Sequence, residues 1–386
     1  MKKKIIVLLK WAIVIGAIVY LIATDKLSWS DWVFKSSAWL YLFFANLSLI
    51  LCLALGFYRY KKLLLAAGIV LPKGEAWRIG MLSSFFSTFT VGNLGGDVAR
   101  YFLTNKFSEK PLSTIIAIMM DRLSGVIAIF AIGAVALLFY SYTAEAGLPH
   151  PFYWPALICI AIVSVGTGFV AGFILSALKH WLLWLLFFSI TVCLLIAICW
   201  IIVIPANNLA TAEWLLLGFG SIIPMTVITC MFARVYKKNE LVMSDKLNKY
   251  TVGTKFLNLF AALFLYREKK KCLLETIIIS LISQALAVLS IYYFAQCLAL
   301  AYNPGLEEVF IVSPITSLTN FLPLPVGGVG VGELVFDSLL SLFTSPEGNV
   351  IHGGASIYLL YRFFLTAIRG SGGLYLLKKN NSKHMP

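Results

Sequence analysis

Residues 320–333 read NFLPLPVGGVGVGE, an interruption rich in proline and glycine within an otherwise apolar stretch. Pro323 and Pro325 remove backbone N–H donors, and the four glycines let the backbone turn, so one continuous helix cannot run through the segment. Irregular backbone at membrane depth survives only where protein or water satisfies its polar groups. The segment therefore predicts a helical hairpin that turns beside a buried or wet cavity.

The composition of the whole chain is that of an integral membrane protein. Of its 386 residues, 60% are apolar and 12% are charged, about half the charge of a soluble domain, and the mean hydropathy is +0.89. Apolar runs of about 20 residues recur, the length that a helix needs to cross a bilayer. We expect one all-α polytopic domain over residues 1–386, which excludes a secreted disulfide scaffold and a soluble nucleic-acid binder.

Eight apolar segments are long enough to be predicted as membrane spans. They are residues 5–23, 39–57, 112–140, 152–175, 181–204, 214–232, 273–300 and 355–377. Two further stretches, 76–99 and 307–343, are broken by glycine, proline, asparagine and acidic residues. The first span begins after three lysines but lacks a signal-peptide cleavage site, so it is expected to remain uncleaved.

The distribution of positive charge indicates whether the two broken stretches cross the membrane. If neither crosses the membrane, most of the 31 lysines and arginines lie on one side, as the positive-inside rule requires of the cytoplasmic face. If the first crosses, alone or together with the second, the strongly basic loop at 233–271 moves outside, and crossing of either stretch reverses the sidedness of the segments after it. Both stretches are therefore predicted to be re-entrant hairpins entering from opposite sides, with both termini in the cytoplasm.

The basic loop at 233–271 carries ten lysines and arginines between aromatic and aliphatic residues. Phe256, Leu259, Phe260, Leu263 and Phe264 recur at helical spacing, which predicts an amphipathic helix lying on the inner surface. Its charges could hold anionic lipid headgroups. The simpler interpretation, a topogenic signal with no specific ligand, fits the same pattern.

The two broken stretches repeat one order of features. The first ends in Gly95-Gly96-Asp97, and the next span carries Asp121-Arg122; the second ends in Glu333, and the next span carries Arg362. Opposite entry sides make this pattern an inverted repeat, the arrangement by which many secondary transporters build a midplane site.

The buried arginines and the hairpins point to an anion site. Arg362 and Arg369 are seven residues apart, so they share a helix face with Tyr358, and such a fork suits phosphate oxygens. Half-helices that begin at the tips would aim N–H groups inward. The predicted substrate-binding residues are Asn93, Gly95, Gly96, Asp97, Arg100, Asp121, Arg122, Asn320, Pro323, Pro325, Gly327, Gly328, Gly330, Glu333, Tyr358, Tyr361, Arg362 and Arg369.

Each buried charge needs a partner, because an unpaired charge in lipid costs at least about 2 kcal/mol. Asp121 and Arg122 are neighbours about 100° apart on their helix and do not face each other. Glu333 is the expected partner of Arg122, and Asp97 or Asp121 that of Arg362. Two interpretations stay open: structural pairs that join the halves, or groups that handle substrate or protons.

No cofactor is indicated. The chain has no P-loop, and the glycine run at 327–332 does not fit G-x-G-x-x-G. The four histidines fall in loops or at span ends, and the seven cysteines lie in or beside apolar runs, so neither a metal site nor a disulfide framework is predicted. No catalytic residue is predicted, and an enzyme is not expected.

Several of these motifs together resemble a known family. They are Gly95-Gly96-Asp97-x-x-Arg100, Asp121-Arg122-Leu123, Pro323-x-Pro325-x-Gly327-Gly328-x-Gly330-x-x-Glu333 and Tyr361-Arg362. The chain resembles the flippase-like membrane domain of bacterial lysylphosphatidylglycerol synthetases, as a stand-alone member, over about residues 5–377. The resemblance implies movement of a charged or sugar-bearing lipid between leaflets. The soluble synthetase domain is missing, and Val331-Gly332 departs from the bulkier or basic residue of relatives.

The leading hypothesis is a lipid flippase or transporter of the cytoplasmic (inner) membrane, acting on a phospholipid or lipid-linked sugar. One alternative is a non-catalytic membrane partner of envelope-glycan or lipid-modifying enzymes, with the basic loop as its docking surface. Another is a membrane-embedded glycosyltransferase, for which Asp25 and Asp31 would be the acidic pair. Membrane lipids with an anionic or lipid-linked headgroup are the expected ligands, with no nucleic acid and no assigned oligomeric state.

Overall fold

The computed structural model describes residues 15–24, 27, 29–89, 94–108, 111–143, 269–321, 329–345 and 348–377. These ranges are helical apart from turns, loops and two isolated bridges, which confirms the all-α class for the part described. The helices are α1 (15–23), α2 (Ala38–Ala66), α3 (Glu75–Phe89), α4 (Leu94–Asn105), α5 (Pro111–Thr143), α6 (Lys270–Cys297), α7 (Leu306–Ser317), α8 (Val331–Leu340), α9 (Gly354–Gly370) and α10 (Leu374–Leu377). Short 3-10 helices lie at Trp29–Trp32, Leu318–Phe321 and Ser371–Gly373.

Three helices are long and apolar enough to cross a membrane. They lie at Ala38–Ala66, Pro111–Ala136 and Lys271–Cys297, and they correspond to three of the predicted spans. Large side chains such as Trp39 and Phe43 of α2 are exposed, as a lipid-facing surface requires. The chain is therefore a multi-pass membrane protein.

The helices α2 and α6 pack against each other in an antiparallel pair. The Ser290 hydroxyl donates to the Ala45 carbonyl at 2.9 Å, and the Ser283 hydroxyl donates to the Cys52 carbonyl at 3.2 Å. Residue numbers rise along one helix as they fall along the other, which sets the direction. Small polar side chains at such an interface let the two backbones approach closely.

The first broken stretch forms the helix pair α3 and α4. With 15 and 12 residues, these helices are about 22 and 18 Å long, short of the roughly 30 Å of a hydrocarbon core. They touch at Gly96, where an added Cβ would overlap the Ser87 hydroxyl and lie 2.6 Å from the Ser83 carbonyl. Only glycine fits this contact.

The second broken stretch forms the pair α7 and α8, of 12 and 10 residues. Pro314 lies inside α7, and Gly330 precedes α8 with a φ of 90°, a left-handed conformation that glycine adopts without strain. In both broken stretches one helix ends before the predicted interruption and another begins after it, as expected of interrupted helices. The links at residues 90–93 and 322–328 lie outside the described residues.

Two apolar clusters form the core of the described ranges. One is built around Tyr60 and Leu63 of α2 with Ile79 and Ile116. The other gathers buried side chains of α6 to α9, among them Phe294, with Ala38 and Ala45 of α2. Both clusters draw on helices that also line the cavity described below.

Several predictions fall on residues outside the described ranges. These are the spans at 152–175, 181–204 and 214–232, residues 5–14 of the first span, both termini and residues 233–268 of the basic loop. Among the predicted site residues, Asn93, Pro323, Pro325, Gly327 and Gly328 also lie outside them.

Candidate functional site

A cavity of about 230 Å³ lies between α2, α3, α5, α6, α7 and α9. Three guanidinium groups reach it, from Arg122 on α5 and from Arg362 and Arg369 on α9. Its other polar lining residues are Ser87, Thr88, Gln284, Ser313, Ser317, Asn320, Tyr358, Tyr361 and Thr366. No carboxylate lines it among the described residues, so the lining is cationic and rich in hydroxyl and amide groups.

Arg122 forms an ion pair with Asp97, from the first turn of α4. Its Nη2 donates to Asp97 Oδ1 at 2.5 Å, and its Nε lies 3.1 Å from each carboxylate oxygen. The Arg122 side chain keeps 36% of its surface exposed and Asp97 keeps 23%. The pair therefore borders an open space, where a second anion can approach the guanidinium.

Arg362 forms a corresponding ion pair with Glu333, which lies in the first turn of α8. Its Nε lies 3.3 Å from Glu333 Oε1, and both side chains are buried. Glu333 Oε2 accepts the Gly330 N–H at 2.6 Å, which caps the start of α8. The Gly330 N–H is thus taken by a glutamate of the same helix and is not available to a ligand.

The surroundings of Arg362 hold its guanidinium at the cavity wall. The group lies 5.2 Å from the centre of the Tyr358 ring, and its Nη2 donates to Asn320 Oδ1 at 3.5 Å. A Cβ at Gly332 would overlap this Nη2 and approach the Tyr358 ring to 2.9 Å. A larger residue next to Glu333 would therefore require the Arg362 guanidinium or the Tyr358 ring to shift.

The expected ion-pair partners were wrong. Arg122 pairs with Asp97 rather than Glu333, and Arg362 pairs with Glu333 rather than with Asp97 or Asp121. Each arginine meets the acid in the first turn of a short helix that precedes it in the chain.

Arg369 is the third arginine of the cavity lining. It lies on the same face of α9 as Arg362, nearer the C-terminal end of that helix. Its Nε is buried and makes no hydrogen bond. It lies within the electrostatic reach of Arg122 and Arg362, and no acid of the described residues forms an ion pair with it. Arg362, Arg369 and Tyr358 share a face and a cavity, as predicted from their spacing.

Asp121 belongs to a second cluster, away from the cavity lining. It is only 3% exposed and accepts from Arg59 Nε at 2.7 Å and Arg100 Nη1 at 2.8 Å. Arg59 also donates to Ser280 on α6, and Arg100 to Ser83 on α3. The cluster therefore ties five helices together, with the predicted residues Asp121 and Arg100 in a structural position.

Arg59 lies beyond the predicted end of the second span at Phe57 and was not predicted as a site residue. The helix α2 instead continues to Ala66, and Arg59 is 9% exposed inside it. One signal was available: Arg59 lies between two tyrosines and just before Leu63 and Leu64, all compatible with further helix.

The structure thus brings together six of the predicted residues around one cavity. They are Arg122, Asn320, Tyr358, Tyr361, Arg362 and Arg369. Asp97 and Glu333 join them through their arginines, while Gly95, Gly96 and Gly330 shape the hairpin helices. The small polar residues of α3, α6 and α7 were missed, because single serines and threonines in apolar helices are common and carry no pattern.

The cavity residues on α6, α7 and α9 lie in a part of the chain that is similar to a known protein family. Residues 182–369 match the family model described as the lysylphosphatidylglycerol synthase TM region. The chain is similar to that family over this region, which is less than half of its length. The match includes the 320–333 segment and Tyr361-Arg362, so the predicted resemblance is confirmed there, while the Asp97 and Asp121 motifs precede it.

Other comparisons add no relative. No curated protein and no solved structure matches the chain. Within the described ranges, no group of three or more His, Cys, Asp or Glu side chains could hold a metal ion. The arginine-lined cavity is therefore the feature of the described residues that bears most directly on function.

Proposed function

We propose that this protein moves a phospholipid or a lipid-linked sugar between the leaflets of the cytoplasmic membrane, with the headgroup passing through the cavity. The observation that carries the proposal is the convergence of Arg122, Arg362 and Arg369 on one space. A membrane region of the lysylphosphatidylglycerol synthase family is a suitable setting for handling lipids.

The chemistry of the cavity suits a phosphate-bearing headgroup. Guanidinium groups bind phosphate oxygens in bidentate geometry, and the serine, threonine, tyrosine and amide groups of the lining can bind hydroxyls of glycerol or sugar. The apolar helix faces outside the cavity match acyl or polyprenyl chains. A headgroup could therefore sit in the cavity while its lipid tail stays in the membrane.

The two acids give the empty cavity a stable resting state. Asp97 and Glu333 neutralise Arg122 and Arg362 when no headgroup is present, which lowers the cost of holding these charges in the membrane. An incoming phosphate then competes with carboxylates for the same donors. Such exchange favours binding that is strong enough to select the lipid yet weak enough to release it.

Two short helix pairs support an alternating-access design. We assign α3 with α4 and α7 with α8 as re-entrant hairpins of an inverted repeat, entering from the cytoplasm and from outside, in a bundle of about eight spans with cytoplasmic termini. Repeats of this kind rock against each other around a fixed midplane site. The matching Asp97–Arg122 and Glu333–Arg362 pairs mark equivalent places in the two halves.

A leaflet assay in proteoliposomes tests the proposal. Fluorescent phospholipids and a polyprenyl-phosphate sugar are reconstituted with wild type, with Arg362→Ala and with the control Arg78→Gln. Arg78 pairs with Glu75 on α3 and is 40% exposed, away from the cavity lining. We expect wild type and Arg78→Gln to accelerate translocation of at least one lipid class and Arg362→Ala to lose that activity. No acceleration of any lipid by folded protein, or full activity of Arg362→Ala, overturns the proposal.

A further inference from the structure

We infer that the cavity selects a headgroup with a single negative charge, a phosphodiester, and that Arg369 supplies the positive charge that holds it. The inference rests on the proposed function for the lipid nature of the ligand, but it concerns binding rather than translocation. It follows from the charges that meet at the cavity.

The described residues at the cavity leave one positive charge without a counter-ion. Three arginines line it, and two of them are matched by Asp97 and Glu333. Arg369 has no acidic partner among the described residues, and its Nε is buried without a hydrogen bond. A buried donor in this state is costly unless a ligand satisfies it, and the half-buried guanidinium of Arg369 lines the cavity that a ligand would occupy.

The rest of the sequence offers little to neutralise Arg369. The hairpin links at 90–93 and 322–328 contain no charged residue, and Glu213 is the only acid between residues 146 and 232. By sequence, Glu213 falls just before a predicted span rather than within one. A ligand is therefore the best source of the missing negative charge.

The Asp121 cluster adds to the positive potential at the cavity, but its arginines do not line the cavity and offer no contact to a ligand there. It too contains one arginine more than acids, but Arg59 and Arg100 already donate to Asp121, Ser280 and Ser83. Neither arginine lines the cavity. Its field favours an anion in general, while Arg369 decides where that anion is held.

The charge balance separates headgroup classes. A phosphodiester, as in a glycerophospholipid with an uncharged head or a polyprenyl-monophosphate sugar, brings one negative charge. A zwitterionic head adds a cation that Arg369 repels. A diphosphate brings more than one negative charge, which the cavity cannot match while Asp97 and Glu333 stay in place. The site should therefore prefer a phosphodiester whose head carries no other charge to both.

The test measures binding to the purified full chain in detergent. The probes are dihexanoylphosphatidylglycerol, dihexanoylphosphatidylcholine, farnesyl diphosphate and inorganic phosphate, and the readout is the dissociation constant by calorimetry. We expect phosphatidylglycerol to bind wild type at least about tenfold more tightly than the other probes, since one charge-assisted hydrogen bond is worth about a factor of ten. Equal binding of phosphatidylglycerol and phosphatidylcholine overturns the inference.

Substitutions at Arg369 test its role directly. Arg369→Gln should weaken phosphatidylglycerol binding about tenfold or more, while Arg369→Lys, which keeps the charge, should retain most of the binding. The control Arg78→Gln removes an arginine outside the cavity and should bind like wild type. Binding by Arg369→Gln that equals wild type overturns the inference.

Glu333→Gln provides a second test that does not require Arg369→Gln to fold. Glutamine keeps an acceptor for the Gly330 N–H but removes one carboxylate from the cavity wall. The variant should then shift its preference toward farnesyl diphosphate, because two positive charges are unmatched. An unchanged preference in folded Glu333→Gln overturns the charge argument.

The probe set also separates the possible sources of the anion. Tight binding of phosphatidylglycerol with weak binding of inorganic phosphate identifies a lipid headgroup, whereas equal binding identifies a free anion and overturns the lipid assignment. Selective binding without translocation leaves this inference standing and overturns the proposed function. Translocation that ignores headgroup charge and survives Arg369→Gln overturns the inference alone.

Discussion

Arg362 Nε lies 3.3 Å from Glu333 Oε1, an arginine on a long helix facing the acid in the first turn of the short helix before it. Arg122 and Asp97 have the same relation in the N-terminal half, at 25 residues of separation. Each pair borders one cavity through its arginine. Two arginines, each paired with the acid at the start of a short helix, thus line the same cavity.

The Glu333–Arg362 pair should show strong energetic coupling. Arg362→Gln leaves a buried carboxylate unpaired, and Glu333→Gln leaves a buried guanidinium unpaired, so each single change should destabilise the protein. The double variant should recover part of the loss, with a coupling energy of about 1–3 kcal/mol. Unfolding of the four proteins in one detergent measures it, and the exposed Glu75–Arg78 pair, expected at about 0–1 kcal/mol, is the matched control cycle. Equal coupling in both cycles would contradict the prediction.

Asp121→Asn should be among the most destabilising single substitutions. Asp121 is the shared acceptor of Arg59 and Arg100, so its neutralisation leaves two buried guanidiniums with no counter-charge. We expect a loss of about 3–5 kcal/mol, seen as a large fall in melting temperature in detergent. Glu75→Gln, which removes an acid from an exposed pair, should have little effect, and similar melting temperatures for the two variants would argue against a buried cluster.

Gly96→Ala should disturb the hairpin of α3 and α4. The new methyl group would press on the Ser87 side chain and on the Ser83 carbonyl at 2.6 Å, and overpacking of this kind costs about 1–3 kcal/mol. Gly56→Ala is the control, because no atom lies within 4 Å of its added Cβ, and in a helix it should stabilise by about 0.5–1 kcal/mol. Opposite shifts in melting temperature are expected, and a neutral Gly96→Ala would refute the close contact.

The proposed entry of the two hairpins from opposite sides predicts opposite labelling of two exposed loop positions. Lys106 follows α4 and Ala301 precedes α7, and both are exposed. With a membrane-impermeant maleimide on intact cells, Ala301→Cys should react and Lys106→Cys should react only after permeabilisation. The unsubstituted chain reports the background of its seven cysteines. Reaction of both from the same side would exclude the inverted repeat.

Much of the helical architecture follows from local properties of the sequence. The long apolar runs predicted α2, α5 and α6 because spanning length and hydropathy are read residue by residue. The prolines and glycines predicted the breaks before α4 and α8, because they act on their own backbone. The shared face of Tyr358, Arg362 and Arg369 followed from helical spacing alone.

The ion pairs, in contrast, were decided by the tertiary structure. Which acid meets Arg122 or Arg362 depends on how helices rotate and slide against one another, and that register is set by contacts between residues far apart in the sequence, such as Ser290 on Ala45. The end of α2 was decided in the same way. Hydropathy cannot place Arg59 inside a helix bundle, because only Asp121, 62 residues away in the chain, offsets the cost of burying it.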